Sequence, residues 1–220
     1  MFSNPAGLGC MEKDELFMDY NQLYQGIGQG HLGLGLRGNK WWYGIGFGHL
    51  SVDGIKRQGS KDDRDEGYAD ASDSFIIGGL AYRITTDFYA GVRGKFIREK
   101  LDSDKADAAA IDIGGLYKGT SWSFGISAQN IGQKLKFIEQ PCGLPLTLRL
   151  GAAYNRNRIT AAGELEQMVK DKEICFHLGL EYLLTKALAL RAGYQSADTN
   201  KYSAGLGCKN KNLCFDKVVS

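Results

Sequence analysis

The feature that most constrains this chain is a period of two that recurs along nearly its whole length. Gly28, Gly30, Leu32, Leu34 and Leu36 alternate with Gln29, His31, Gly33, Gly35 and Arg37, so an extended segment there has one aliphatic face and one small or polar face. The pattern returns in Trp41-Tyr43-Ile45-Phe47 against Trp42-Gly44-Gly46-Gly48, and in Phe88-Ala90-Val92-Gly94-Phe96 against Tyr89-Gly91-Arg93-Lys95. It returns again in Trp122-Phe124-Ile126-Ala128, in Leu146-Leu148-Leu150-Ala152-Tyr154, in Ile174-Phe176-Leu178-Leu180-Tyr182 and in Leu188-Leu190-Ala192-Tyr194. No segment competes with a helical spacing of three and four, so the chain reads as sheet throughout.

About twelve strands follow, at 15–24, 27–37, 41–51, 73–84, 87–98, 106–117, 121–130, 144–155, 158–168, 173–184, 187–196 and 200–208, with a thirteenth from Leu213. Soluble strands average roughly 5 to 6 residues, whereas a tilted strand that crosses a bilayer needs about 9 to 11. These have membrane length. The connections alternate between short (38–40, 85–86, 118–120, 155–157, 185–186) and long (52–72, 99–105, 131–143, 169–172, 197–199); only Gln25-Gly26 is short on the long side. Short turns at one end and longer loops at the other are the layout of outer-membrane barrels. The aromatics Trp41, Trp42, Tyr43, Tyr82, Phe88, Tyr89, Tyr117, Trp122, Tyr154 and Tyr182 gather at the short-turn end, as an interfacial girdle would. The fold class expected is all-β, an antiparallel transmembrane β-barrel of about 12 to 14 strands.

Composition agrees. Glycine is abundant at 30 residues while the 3 prolines stand at 5, 141 and 145, leaving the intervening chain free for hydrogen-bonded ladders. An apolar content of 43% excludes a disordered chain, and a net charge of +2 gives no field that would draw nucleic acid. No apolar run is long enough for a transmembrane helix, and Met1-Phe2-Ser3-Asn4 begins no signal peptide. Taken literally that gives a cytoplasmic address. Set against the barrel pattern, it points to a cell outer membrane protein whose leader is absent through truncation or a misassigned start. The five cysteines include no C-x-x-C pair and no zinc-ligand spacing; Cys208 and Cys214 flank a short basic turn and could pair.

No catalytic residue, metal site or cofactor is expected. His31, His49 and His177 fall on separate strands, nucleophile and phosphate-loop motifs are missing, and Gly26-Ile27-Gly28-Gln29-Gly30 lacks the helix that a nucleotide turn requires. With lipid on the aliphatic face, Arg37, Arg93, Lys95, Asp112, Arg149, Glu164, Glu166, Glu181 and Arg191 share the lumen. Mutual ion pairs are one outcome. The sharper reading is that Arg93, Arg149 and Arg191 hold the carboxylate or phosphate head of an amphiphilic small molecule, because guanidinium grips such groups in two places. The Lys56–Glu66 loop mixes four basic with four acidic residues, which suits either a solvated loop or a partner contact.

Several segments also carry a family likeness. Asn4-Pro5-Ala6-Gly7-Leu8 resembles the N-P-A-G-L segment of the PorV/PorQ outer-membrane proteins, relatives of the FadL-type fatty-acid transporters. Ala110-Ile111-Asp112-Ile113-Gly114-Gly115-Leu116-Tyr117, Ser127-Ala128-Gln129-Asn130-Ile131-Gly132, Leu148-Arg149-Leu150-Gly151-Ala152-Ala153-Tyr154, Gly179-Leu180-Glu181-Tyr182 and Leu190-Arg191-Ala192-Gly193-Tyr194 are similar to family segments in the same order. The resemblance implies a FadL-like barrel over 15–220, preceded by residues 1–14 as a remnant of the N-terminal hatch that plugs it. Two functions follow from it. One is a partner of secreted proteins or secretion machinery at the outer membrane, and the other is a transporter of long-chain fatty acids or other hydrophobic molecules. In both, outer-membrane lipid surrounds the barrel.

Overall fold

The structure is a computed structural model that describes residues 3–22, 27–56, 68–102, 104–132, 134–137, 140–170, 173–185, 187–196, 200–210 and 213–219. A short 3-10 helix, Pro5–Cys10, precedes the strands. They are β1 (Glu15–Gln22), β2 (Ile27–Arg37), β3 (Trp41–Lys56), β4 (Tyr68–Arg83), β5 (Phe88–Leu101), β6 (Asp104–Lys118) and β7 (Trp122–Gly132). After these come β8 (Lys134–Phe137), β9 (Gln140–Gly143), β10 (Thr147–Arg156), β11 (Ile159–Met168), β12 (Glu173–Leu183), β13 (Leu188–Gln195), β14 (Lys201–Asn210) and β15 (Leu213–Val219). Thirteen of them form one antiparallel sheet in chain order, while β8 and β9 pair separately as a hairpin between β7 and β10. No helix among the described residues is long and apolar enough to cross a membrane.

Register fixes which residues share a face. Arg37 opposes Trp42, Trp42 opposes Ala81, Gly79 opposes Arg93, Arg93 opposes Asp112, and Gly114 opposes Ser127. Arg149 opposes Ser127 and Glu166, Glu164 opposes His177, and Glu181 opposes Arg191. All nine charged residues expected in the lumen therefore lie on one face. The other face carries Ile45 at 57% exposure, Ile126 at 59% and Leu178 at 56%, in a continuous belt with Phe96, Ile113 and Leu150. A water-soluble domain does not tolerate so wide an apolar surface, and hydrocarbon is the solvent that fits it.

Interfacial aromatics sit at the short-turn end of this belt. Trp41 and Tyr82 lie with ring centroids 4.5 Å apart and Trp122 and Tyr154 4.7 Å apart, all four on the outward face. Trp42 and Tyr89 depart from the expected girdle. Their parity turns them inward, where they are 3% and 9% exposed and meet edge to face. With Ala6, Leu8 and Ala81 they make a small hydrophobic core between the 3-10 helix and the inner wall.

Two of the long connections are shorter than the alternation suggests, because strand pairing climbs into them. β3 and β4 continue to Lys56 and from Tyr68, and β5 and β6 leave only Asp102-Ser103 between them. Beyond the belt both faces are wet, so a hairpin satisfies its backbone without an apolar alternation to announce it. Residues 57–67, most of the charged loop from Lys56 to Glu66, lie outside the described residues. Cys208 carries a free thiol, and the side chain of its suggested partner Cys214 is likewise outside them.

Candidate functional site

The inner face is built from cross-strand charges. On β5 and β6, the fully buried Asp112 receives Arg93 Nε at 2.7 Å and Lys95 Nζ at 2.9 Å. It also accepts the backbone N–H of Asn130 at 2.7 Å. Asn130 reaches this position through a bulge: the β6–β7 register shifts at Asp112, and Asn130 takes a φ of 62°, a left-handed conformation that Asn tolerates better than most residues. Its Oδ1 accepts from Lys95 Nζ at 2.7 Å and its Nδ2 donates to the Pro145 carbonyl at 2.9 Å, so the bulge locks β5, β6 and the start of β10 together.

A second cluster follows on β10 to β12. Arg149 Nη1 lies 2.6 Å from Glu164 Oε1 and Nη2 lies 2.9 Å from Glu166 Oε2, while His177 Nε2 lies 3.1 Å from the same Glu166 oxygen. A third pair joins Arg191 Nε to Glu181 Oε2 at 2.6 Å. Arg93, Lys95, Arg149 and Arg191 thus balance Asp112, Glu164, Glu166 and Glu181, which removes most of the cost of four cations in a confined interior. Arg93, Arg149 and Arg191 are all inward, but they stand in three separate clusters and each is engaged by carboxylate. Near β1, His31 Nδ1 lies 2.8 Å from Asp19 Oδ1. Glu164, Glu166 and His177 could offer three ligand atoms to a cation, yet Arg149 already occupies both glutamates, and a cation there would have to displace it.

The N-terminal segment completes the site. Asn4 caps the 3-10 helix, accepting the Ala6 N–H at 2.9 Å, and its Nδ2 donates to the carbonyls of Gly115 and Ile126 at 3.1 Å each. Ser127 Oγ donates to the Ser3 carbonyl at 3.1 Å, Gln129 Nε2 donates to the same oxygen, and Trp42 Nε1 donates to the Met11 carbonyl at 3.1 Å. The wall is shaped to admit this segment. A Cβ on Gly91 would fall on the Pro5–Ala6 peptide, and one on Gly114 would fall on the Asn4 amide. Asn130, Gln129 and Ser127 carry this architecture without having stood out as site residues in the sequence; the one available signal was an Asn ahead of Ile-Gly where a strand ends.

Beside the segment lies an inner cavity of about 520 Å³, bordered by Ser3, Asn4, Ser123, Ser127, Arg149 and His177. On the opposite side of the sheet an apolar groove of about 610 Å³ runs between Phe88, Phe124, Leu150, Phe176 and Leu178. Both share Gly125, Gly151, Ala152 and Gly163, together with Glu164 and Leu178, so at the three glycines and the alanine the wall is scarcely thicker than its backbone.

The arrangement can be set beside known folds. The toluene transporter TodX of Pseudomonas putida superposes with a TM-score of 0.71 at 14% identity, over 98% of this chain and 86% of that one. The fold is FadL-like. A FadL homologue of Pseudomonas aeruginosa matches with a TM-score of 0.68 at 12% identity over 99% of this chain and 83% of that one. The CymD monoaromatic hydrocarbon channel gives 0.69 at 12% identity over 99% and 86%. No family model and no curated protein matches the chain.

Proposed function

We propose that the protein is an outer-membrane channel for small hydrophobic molecules. The observation that carries this reading is the thin patch of Gly125, Gly151, Ala152 and Gly163, with a partly polar cavity inside it and an apolar groove outside it. An apolar solute held in the first is one backbone's thickness from lipid in the second. The similar folds support the same reading, since two of them are described as a toluene transporter and a monoaromatic hydrocarbon channel. In this proposal residues 1–14 act as a hatch segment, seated through Asn4, Pro5, Ala6, Gly7 and Leu8 against the inner wall. Of the three lumen arginines, Arg149 borders the cavity, and its buried Nε has no hydrogen-bond partner among the described residues. That Nε–H is the place where an acidic head would be held. Two carboxylates on the same guanidinium favour an uncharged solute over an acid. A role as partner of secreted proteins rests on the PorV/PorQ resemblance alone, and the comparisons lend it no support.

Uptake of radiolabelled toluene by Gram-negative cells that express the full chain tests the proposal. Uptake above that of empty-vector cells is expected. It should fall severalfold in Gly151→Leu, because a Cβ on Gly151 meets nothing closer than 3.7 Å and the side chain can grow into the cavity. Uptake equal to the empty-vector level with correctly inserted protein would overturn the channel reading.

A further inference from the structure

Just beyond one edge of the apolar belt, the outward face of β5 and β6 changes abruptly in character. On β5 the belt ends at Phe96 and on β6 at Ile111, and the next charged outward residues are Arg98 and Lys100 on β5 and Asp107 and Lys105 on β6. All four are exposed. Arg98 and Asp107 are cross-strand partners and form a two-pronged pair, Nε to Oδ1 at 2.7 Å and Nη2 to Oδ2 at 2.9 Å. The Arg98 guanidinium also lies 5.8 Å from the Phe96 ring centroid, at the border between charge and apolar belt.

One step further out, Lys100 and Lys105 are direct cross-strand partners. Like charges in that position repel; among the described residues neither ammonium has a hydrogen bond or an ion pair, and the attraction of Asp107 for Lys105 offsets the repulsion only in part. The adjoining outward positions on β4 are hydroxyls, Ser72 opposite Lys100 and Ser74 opposite Arg98. Asp73 and Glu99 belong to the opposite face. The patch therefore gathers three cations, two hydroxyls, and the carboxylates of Asp107 and of Asp70, the next outward residue of β4 beyond Ser72. Of the hydroxyls, Ser74 Oγ lies 2.8 Å from His49 Nδ1. This leaves an excess of one positive charge at the edge of a hydrocarbon-facing surface.

We propose that Arg98, Lys100 and Lys105, with Ser72, bind the phosphate of an anionic membrane lipid whose acyl chains lie on the belt beside Phe96 and Ile111. The spacing suits this occupant. Two residues of strand advance about 7 Å, or about 5 Å along the membrane normal once tilt is allowed for, and the headgroup zone is about 5 to 8 Å deep on each side of a hydrocarbon core of about 30 Å. A phosphate between Arg98 and the two lysines thus sits at headgroup depth while its chains reach the belt. A soluble anion would use the charges alone, whereas this patch offers charge and apolar surface in the order in which a lipid presents them. The inference rests on the strands crossing a membrane and not on conduction.

The test is lipid retention by the full chain, purified in neutral detergent and read by native mass spectrometry after equilibration with phosphatidylglycerol or with phosphatidylcholine of the same chains. Phosphatidylglycerol should be retained in preference to phosphatidylcholine. Each lysine near an anionic headgroup is worth about fivefold, so the K100Q/K105Q double variant should lose about 25-fold of that preference. The K100R/K105R variant should keep it. Because these side chains are exposed, the variants should retain the heat stability of the parent. Equal retention of the two lipids by the parent chain, or a preference unchanged in K100Q/K105Q, would overturn the proposal. So would thermal stabilisation by inorganic phosphate or by a poly-glutamate peptide equal to that by phosphatidylglycerol, since either would show that the acyl chains contribute nothing.

Discussion

Asn4 donates from Nδ2 to the carbonyl of Gly115 at 3.1 Å, across 111 residues of sequence. The same amide reaches Ile126 on the neighbouring strand and closes the cap on Ala6, so one side chain ties the start of the chain to β6 and β7. Asn4→Ala removes all three bonds and leaves a backbone N–H and two carbonyls without that partner. At a net 0.5 to 1.5 kcal/mol per bond, the seated state should lose about 2 kcal/mol. Asn4→Asp keeps the acceptor for Ala6 but turns a charge toward two carbonyls, and it should be at least as damaging. Limited proteolysis between residues 3 and 14 reads both effects, with cleavage faster than in the parent and the strands left intact.

Gly91 and Gly94 lie on the same strand with opposite parity, which makes them a matched pair. A methyl group on Gly91 meets the Pro5–Ala6 backbone, and neither side of that contact can move without the other, whereas one on Gly94 meets nothing within 4 Å. Gly91→Ala is therefore expected to expel the N-terminal segment while circular dichroism keeps its β signal. Gly94→Ala should leave protease protection unchanged.

Much of this was legible in the sequence, and the rest was hidden for identifiable reasons. Parity alone places Arg37, Arg93, Arg149 and Arg191 on one face, because a strand alternates whatever its partner is. The same parity puts Trp42 on the face of Gly44 and Tyr89 on the face of Gly91, against a girdle position for either. Their inward burial depends on a helix that docks from elsewhere in the chain, which no local pattern reveals. The bulge at Asn130 was hidden because its purpose, aiming a backbone N–H at Asp112 and a side-chain amide at Lys95 and the Pro145 carbonyl, involves no apolar residue. Which carboxylate each arginine takes follows from register, and register follows from turn geometry and pairing across the whole sheet.

Asp112 should be the least replaceable of the inward charges. It is fully buried and faces Arg93 and Lys95 together, so Asp112→Ala leaves two confined cations without their counterion and the Asn130 N–H without its acceptor. Breaking a buried pair of this kind costs about 3 to 5 kcal/mol. Glu181→Ala disrupts a pair whose members are 29% and 35% exposed, where water can solvate Arg191, and about 1 kcal/mol or less is expected. The temperature at which the folded band disappears on a cold-loaded SDS gel should drop far more for Asp112→Ala than for Glu181→Ala. Equal shifts would mean that Asp112 is better hydrated than its burial indicates.

Cys10 offers a pH-dependent probe of the seated segment. It packs against the cluster of Ala6, Leu8, Trp42, Ala81 and Tyr89, and burial pushes its thiol up from the ordinary value of 9.0. Lys118 pulls in the opposite direction and is the weaker influence. A group whose pKa is raised in the seated state favours seating fully below its unseated pKa, and that contribution is lost as pH climbs through the raised value. Seating should thus be insensitive to pH from 6 to about 8 and weaken in more alkaline buffer, above the ordinary thiol range. Maleimide labelling followed by mass spectrometry of the N-terminal peptide measures this directly. At pH 7 Cys10 should react more slowly than a free thiol, with a rate that rises at higher pH than a free thiol's does. Asn4→Ala, by releasing the segment, should return both the rate and its pH profile to those of a solvated cysteine. A parent profile already equal to that of a free thiol would show that the segment leaves the wall readily.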